Sequence, residues 1–301
     1  MQARVLMTGN EALAEGAIRA GCDAYFGYPI TPQNEITAYM AKHMPAKGRV
    51  FIQAESEVAA INMVFGAAVA GKRGMTSSSS PGISLKQEGI SYLAAAELPA
   101  VIVNVQRGGP GLGNISPGQA DYFQATKGGG HGDYHQIVLA PESVQEMHDF
   151  VFRAFELADK YRTPVMILSD GRIGQMMEPL QLFEGAAPPV PPKPWAINGA
   201  KGRKPQFVRS LFLNDDELEE RNFILQKKYA EIRKKEVTYQ EHLTKGCDVL
   251  VVAYGTCARI ARGAVNSLKD RKIRVGILRP ITLWPFPYDR IAEIAAKTKG
   301  V

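Results

Sequence analysis

Val101-Ile102-Val103-Asn104-Val105-Gln106-Arg107-Gly108-Gly109-Pro110-Gly111 decides the fold. A β-branched apolar run passes straight into a glycine-rich turn, as a buried strand does where it leaves a sheet. Working outward, the pattern recurs. Short β-type runs at residues 5–7, 24–28, 50–53 and 74–77 precede it, and runs at 136–139 and 165–169 follow. Helical stretches fill the gaps. Over residues 57–70 Ser56 is placed as an N-cap, and Val58, Ile61, Val64, Phe65 and Ala68 form an apolar stripe. Residues 143–161 have the same periodicity. Strands alternating with helices predict an α/β fold with a doubly wound, mostly parallel sheet.

The segment beyond this region differs in composition. Six of the nineteen prolines fall between Ala186 and Pro205, too dense for a helix or a central strand. A charged helix is expected next, with Asn214 and Glu217 as a capping box and Leu218, Leu225, Tyr229 and Ile232 on its apolar side; its charged remainder is expected to face solvent. A second strand–helix–strand pattern follows: the apolar run 249–253, the turn Tyr254-Gly255-Thr256, a helix over 258–268 and a strand over 275–278. The expected organisation is a complete domain over 1–185, a proline-rich linker with its helix over 186–245, and a partial α/β domain over 246–301 that stops early.

Charge and cysteine content narrow the function. The net charge of +6 suggests nucleic acid, yet twelve Lys and Arg stand against eight Asp and Glu between Lys193 and Lys245, so much of the excess lies in the linker and its helix. No stacking aromatics or recognition motif accompany it, and no nucleic-acid partner is expected. No apolar run reaches the ~18 residues needed to span a bilayer, and no signal peptide is legible, so a soluble cytoplasmic protein is expected. Cys22, Cys247 and Cys257 form no Cys-x-x-Cys pair, which leaves no legible disulfide framework, zinc site or iron–sulfur cluster.

Ligands of an open parallel sheet bind beyond the carboxyl ends of its strands. That rule collects Tyr28-Pro29-Ile30-Thr31-Pro32, Glu55-Ser56-Glu57, residues 77–82, Arg107-Gly108-Gly109 and Asp170-Gly171-Arg172. Other signals fail. Residues 66–72 imitate a P-loop, but Arg73 stands where Ser or Thr would hold magnesium, and the stretch ends a helix. Neither glycine-rich loop has the dinucleotide spacing. His131 and His135 are four apart, but the surrounding glycines argue against the helix that would align them on a metal.

With these residues assembled, the chain resembles the α subunits of the 2-oxoacid:ferredoxin oxidoreductases, thiamine diphosphate enzymes that convert 2-oxoacids to acyl-CoA. The carriers are Tyr28-Pro29-Ile30-Thr31-Pro32, Glu55-Ser56-Glu57, Thr76-Ser77-Ser78-Ser79 through Gly82, Gln106-Arg107-Gly108-Gly109-Pro110, His131-Gly132-Asp133 and Leu278-Arg279-Pro280 through Pro287. Residues 111–117 and 122–133 look most like the branched-chain 2-oxoisovalerate type; the 2-oxoglutarate type is the alternative. The resemblance implies that residues 1–185 are a thiamine diphosphate pyrimidine-binding domain and 246–301 a partial transketolase C-terminal-like domain.

It also implies roles. Glu57 would hydrogen-bond pyrimidine N1′ and so favour the cofactor tautomer that draws the proton from C2. Read from local sequence alone, Glu57 is a first-turn acid complementing the helix dipole. Thr31 and Arg107 would line the substrate side, the guanidinium fork suiting a 2-oxoacid carboxylate. The plainer readings are a helix cap for Thr31 and a surface cation for Arg107. Tyr28, Pro29, Ile30 and Ser78 would contact the cofactor. No Gly-Asp-Gly motif is present, so magnesium and the diphosphate would be held by a separate β subunit. γ and ferredoxin-like δ subunits, ferredoxin, the 2-oxoacid and CoA complete the implied partners. Two rivals remain: a non-catalytic scaffold of such a complex, and a transketolase-like enzyme, which the missing diphosphate motif disfavours.

Overall fold

The computed structural model describes residues 4–268 and 273–301. Its strands are β1 (Val5–Thr8), β2 (Ala24–Gly27), β3 (Val50–Gln53), β4 (Gly74–Ser78), β5 (Ala100–Gln106), β6 (Ile137–Leu139), β7 (Pro164–Asp170), β8 (Met177–Leu180), β9 (Tyr239–His242), β10 (Val249–Val252), β11 (Val275–Pro280) and β12 (Thr282–Trp284). The helices are α1 (Gly9–Arg19), α2 (Asn34–His43), α3 (Glu57–Val69), α4 (Ser80–Ala95), α5 (Tyr122–Lys127), α6 (Val144–Tyr161), α7 (Gly171–Gln175), α8 (Asp215–Lys235), α9 (Gly255–Ser267) and α10 (Tyr288–Ala295).

Seven strands form the main sheet in the order β12-β6-β7-β5-β4-β2-β3, parallel throughout except for β12. Every residue of β4, β5 and β7 is buried, as strands covered on both faces must be. Helices α3 and α4 pack together, as do α1 and α6. From β2 the chain steps outward to β3 and returns to β4 on the other side of β2. The switch point therefore lies between β2 and β4, and their carboxyl ends flank a crevice.

Four local expectations are corrected. The run at 5–7 is not a strand of the parallel sheet: β1 pairs antiparallel with β8 in a separate two-stranded sheet. The Thr8 hydroxyl accepts from the Glu11 amide and Glu11 returns to the Thr8 amide, so the chain turns into α1 at once. On α8, Asn214 accepts from the Glu217 amide at 3.0 Å, but the Glu217 carboxyl pairs with Arg209 instead of completing a capping box. The helix buries Leu225, Tyr229 and Ile232 while Leu218 stays exposed. Nor is its charged remainder wholly solvated: Arg221 and Lys228 both clamp Glu97. Burial raises the Glu97 carboxyl, and the two cations outweigh it to bring it below its usual range.

The residues beyond α8 form a three-stranded sheet, β10-β11-β9, over a small core of Cys247, Leu250, Leu278 and Ile294. The chain then crosses back, because β12 adds to the main sheet beside β6. At this crossing Arg279, wholly buried, reaches Glu142 at 3.1 Å, Glu146 at 2.5 Å and the Ala140 carbonyl at 2.9 Å. The Thr256 hydroxyl adds a 2.8 Å hydrogen bond to Asp170. No helix among the described residues is long and apolar enough to cross a membrane.

Removing Arg279 would strip the partly buried Glu146 carboxylate of its cation and leave Glu142 with Arg262 alone. Arg279→Ala is expected to cost about 3–5 kcal/mol of stability, read as a lowered urea midpoint. An unchanged midpoint would show that the crossing is held by packing alone.

Candidate active site

Four strand-to-helix connections converge at the switch point. After β2, Tyr28–Thr31 leads into α2; after β3, Ser56 caps α3 by accepting from the Ala59 amide at 3.1 Å. Glu57 is thereby the first residue of α3, and its side chain is only 6% exposed. After β4, Ser79 precedes α4, with Pro81 and Gly82 in the first turn. A Cβ at Gly82 would stand 2.1 Å from Ser78 Oγ and 2.7 Å from Glu57 Oε1, so only hydrogen fits there. This bare position brings the Glu57 carboxyl and the Ser78 hydroxyl into one cradle. The hydroxyls of Ser78 and Ser79 are buried without a hydrogen-bond partner, which marks a polar surface facing something these residues do not themselves supply.

Arg107 closes the cradle from β5. It is 7% exposed, so the surface-cation reading fails. Its Nη1 donates to the Thr31 carbonyl at 3.1 Å and Nη2 to the Leu112 carbonyl at 2.7 Å, whereas Nε is buried without a partner. The terminal nitrogens thus hold the glycine-rich loop against the β2 connection. Thr31 does not cap the helix: α2 begins at Asn34, and the Thr31 hydroxyl accepts only from the Asn34 side chain, at 3.3 Å. Tyr28 and Ile30 offer their carbonyls to Gln33, and Pro29 is exposed at the rim.

Beneath these residues lies a polar layer that sequence reasoning missed. Ser77 Oγ donates to Gln33 Oε1 at 2.5 Å, and the Tyr25 hydroxyl contacts both Ser77 and Thr37. Burial pushes the Tyr25 phenol up to about 12, so it stays protonated. On the other side Asp121 accepts from Ser80 at 2.6 Å and from Asn104 at 2.9 Å, and Ser80 in turn accepts from the Arg107 amide. Sequence carried one signal for this layer: polar Asn104 and Gln106 within a strand buried along its whole length.

A cleft of about 680 Å³ lies elsewhere, between α5, the end of α8 and residues 284–290. There the His135 ring stacks on Trp284 at 4.6 Å, and burial together with Arg233 and Lys127 holds its imidazole below its usual value. His131 and His135 lie in irregular chain, and no group of three or more His, Cys, Asp or Glu side chains among the described residues is placed to hold a metal ion. Without a buried acid at a helix start, this cleft lacks what a thiamine site requires.

The family profile described as "Pyruvate flavodoxin/ferredoxin oxidoreductase, thiamine diP-bdg" matches residues 15–242, and "Pyruvate:ferredoxin oxidoreductase core domain II" matches 247–301. The chain belongs to the 2-oxoacid:ferredoxin oxidoreductases, as an α subunit. Among its relatives, the ketoisovalerate oxidoreductase subunit VorB of Methanothermobacter thermautotrophicus is 58% identical over 290 residues, spanning 96% of this chain and 82% of that one. The 2-oxoglutarate synthase subunit KorA of Archaeoglobus fulgidus is 40% identical, with 97% and 85% covered. The fold matches a solved 2-oxoglutarate:ferredoxin oxidoreductase from Magnetococcus marinus with a TM-score of 0.85 at 29% identity; the match covers 99% of this chain and 57% of that one. The α subunit thus carries a thiamine diphosphate-binding domain.

Filling the cradle tests it. Gly82→Ala in the assembled complex is expected to weaken thiamine diphosphate binding at least about tenfold, or ~1.4 kcal/mol, in an equilibrium titration. Unchanged affinity would place the cofactor away from Gly82.

Proposed function

We propose that this α subunit supplies the pyrimidine-side half of a thiamine diphosphate site completed by a β subunit, in an enzyme that oxidatively decarboxylates a branched-chain 2-oxoacid to acyl-CoA. The observation that carries the reading is the buried Glu57 carboxyl at the head of α3, facing the side-chain-free position 82 at the switch point. Bound thiamine diphosphate would supply the carbon nucleophile and the sink for the electron pair left behind when CO2 departs. The residues of this chain do the rest. Glu57 Oε1 accepts a hydrogen bond from the pyrimidine edge and holds that proton in place; Ser78 stands beside it as a further polar contact. Tyr28, Pro29 and Ile30 wall the cofactor from the β2 side. Thr31 and Arg107 face the substrate side, where the guanidinium sets a positive charge for the 2-oxoacid carboxylate while keeping residues 107–117 in position.

The branched-chain assignment rests on the 58% identity to the ketoisovalerate relative, against 40% to the 2-oxoglutarate one. The loop that Arg107 holds is consistent with it. It presents Leu112 and Ile115, apolar side chains that give no partner to the distal carboxylate of 2-oxoglutarate. On the same reading, the β subunit holds magnesium and the diphosphate, and γ and δ subunits pass electrons through iron–sulfur clusters to ferredoxin. The cysteines described in this chain are isolated thiols, two buried and one exposed.

Glu57→Gln in the assembled complex is expected to lower CoA-dependent viologen reduction by about 10²–10⁴-fold with assembly intact. Unchanged turnover would favour a scaffold role. On a panel of 2-oxoacids, 2-oxoisovalerate is expected to give the highest kcat/KM; a preference for 2-oxoglutarate would overturn the branched-chain assignment. Tight magnesium-dependent cofactor binding by the isolated α chain would overturn the shared site.

A further inference from the structure

Lys86 is the one lysine that the described structure buries completely. It lies on α4 in the stripe Gly82, Ile83, Lys86, Ile90 and Leu93, where every neighbour faces the core. Its Nζ reaches the Thr76 hydroxyl at 3.1 Å and the Glu57 backbone carbonyl at 3.5 Å. No carboxylate among the described residues approaches within ion-pair distance of it. A buried ammonium left with two neutral acceptors costs stability, and an apolar side chain of the same length would fill the space more favourably. Packing does not explain it.

The charge that acts on Lys86 is that of Glu57. β4 adds only the hydroxyls of Thr76 and Ser78 on this side, and Glu88, the acid further along α4, pairs with the Tyr92 hydroxyl on the outer surface. Lys86 and Glu57 are therefore opposite charges buried together, one beneath the first turn of α3 and the other projecting from it into the cradle. We infer that Lys86 is a positioning residue for Glu57: its ammonium fixes the backbone at the head of α3 and supplies the counter-charge to the buried carboxylate before cofactor arrives. This rests on the reading of Glu57 as the cofactor-facing acid. Burial draws the Lys86 ammonium down to about 8 against the opposing pull of Glu57, which leaves it charged at neutral pH.

The test uses the assembled complex stripped of cofactor and titrated with thiamine diphosphate and magnesium at neutral pH, with the thermal midpoint of the cofactor-free form measured in parallel. Lys86→Met and the amide variant Lys86→Gln are expected to lower cofactor affinity about tenfold, while Lys86→Met raises the thermal midpoint. Lys86→Arg is expected to restore the wild-type affinity at least in part. If Glu57→Gln weakens affinity but Lys86→Met and Lys86→Gln leave it unchanged, the Lys86 proposal falls and the Glu57 reading stands. If Glu57→Gln leaves affinity unchanged, both fall. If neither uncharged variant assembles, Lys86 is a structural residue and the proposal falls.

Discussion

The start of α4 meets the start of α3 because position 82 has no side chain. With 2.1 Å from the place of its Cβ to Ser78 Oγ and 2.7 Å to Glu57 Oε1, any larger residue would displace that hydroxyl and that carboxyl. Much else follows from that approach. It places a carboxyl at the head of an otherwise apolar helix over the carboxyl end of β4, and it threads Lys86 beneath the first turn of α3. The same contact fixes α4 against the core strand β4, whose hydroxyls then serve as the floor of the site.

Charges are used differently in the two parts of the chain. Around the switch point they are few and sparsely partnered: Glu57, Lys86 and the Nε of Arg107 are held among backbone groups and hydroxyls. Such an arrangement costs stability and leaves the groups available to a ligand. Away from the site, charged groups are ion-paired. Arg73 and Lys193 both meet Asp159, Arg221 and Lys228 meet Glu97, and Arg279 meets Glu142 and Glu146. These clusters stitch the proline-rich stretch, α8 and the residues beyond it to the main sheet. The proline-rich stretch is thus anchored through Lys193, although its composition alone reads as a spacer.

Several parts of the fold were legible from local pattern. The runs that became β3, β5 and β7 are apolar and end in turn residues, and Ser56 and Ser143 cap helices as their positions suggest. The run at 5–7 has the same appearance and a different fate, because three apolar residues specify an extended backbone but not a partner. β12 was missed for the converse reason: Thr282–Trp284 is too short to stand out, and only pairing with β6 makes it a strand. At the site, Glu57 and Arg107 were found through motifs. Gln33 and Asp121 were not, since their partners lie 17 to 44 residues away. Lys86 did leave a trace, a charge on the apolar stripe of a helix.

By itself the sequence determined the alternation of strands and helices, the polar loops at strand ends and the family motifs, because each is written in residues close together along the chain. Only the tertiary structure decided the strand order, the return of β12 to the first sheet and the meeting of Glu57, Ser78 and Gly82. Those depend on which strands pair and how closely helices can pack over them, and such contacts join residues that local pattern treats as independent.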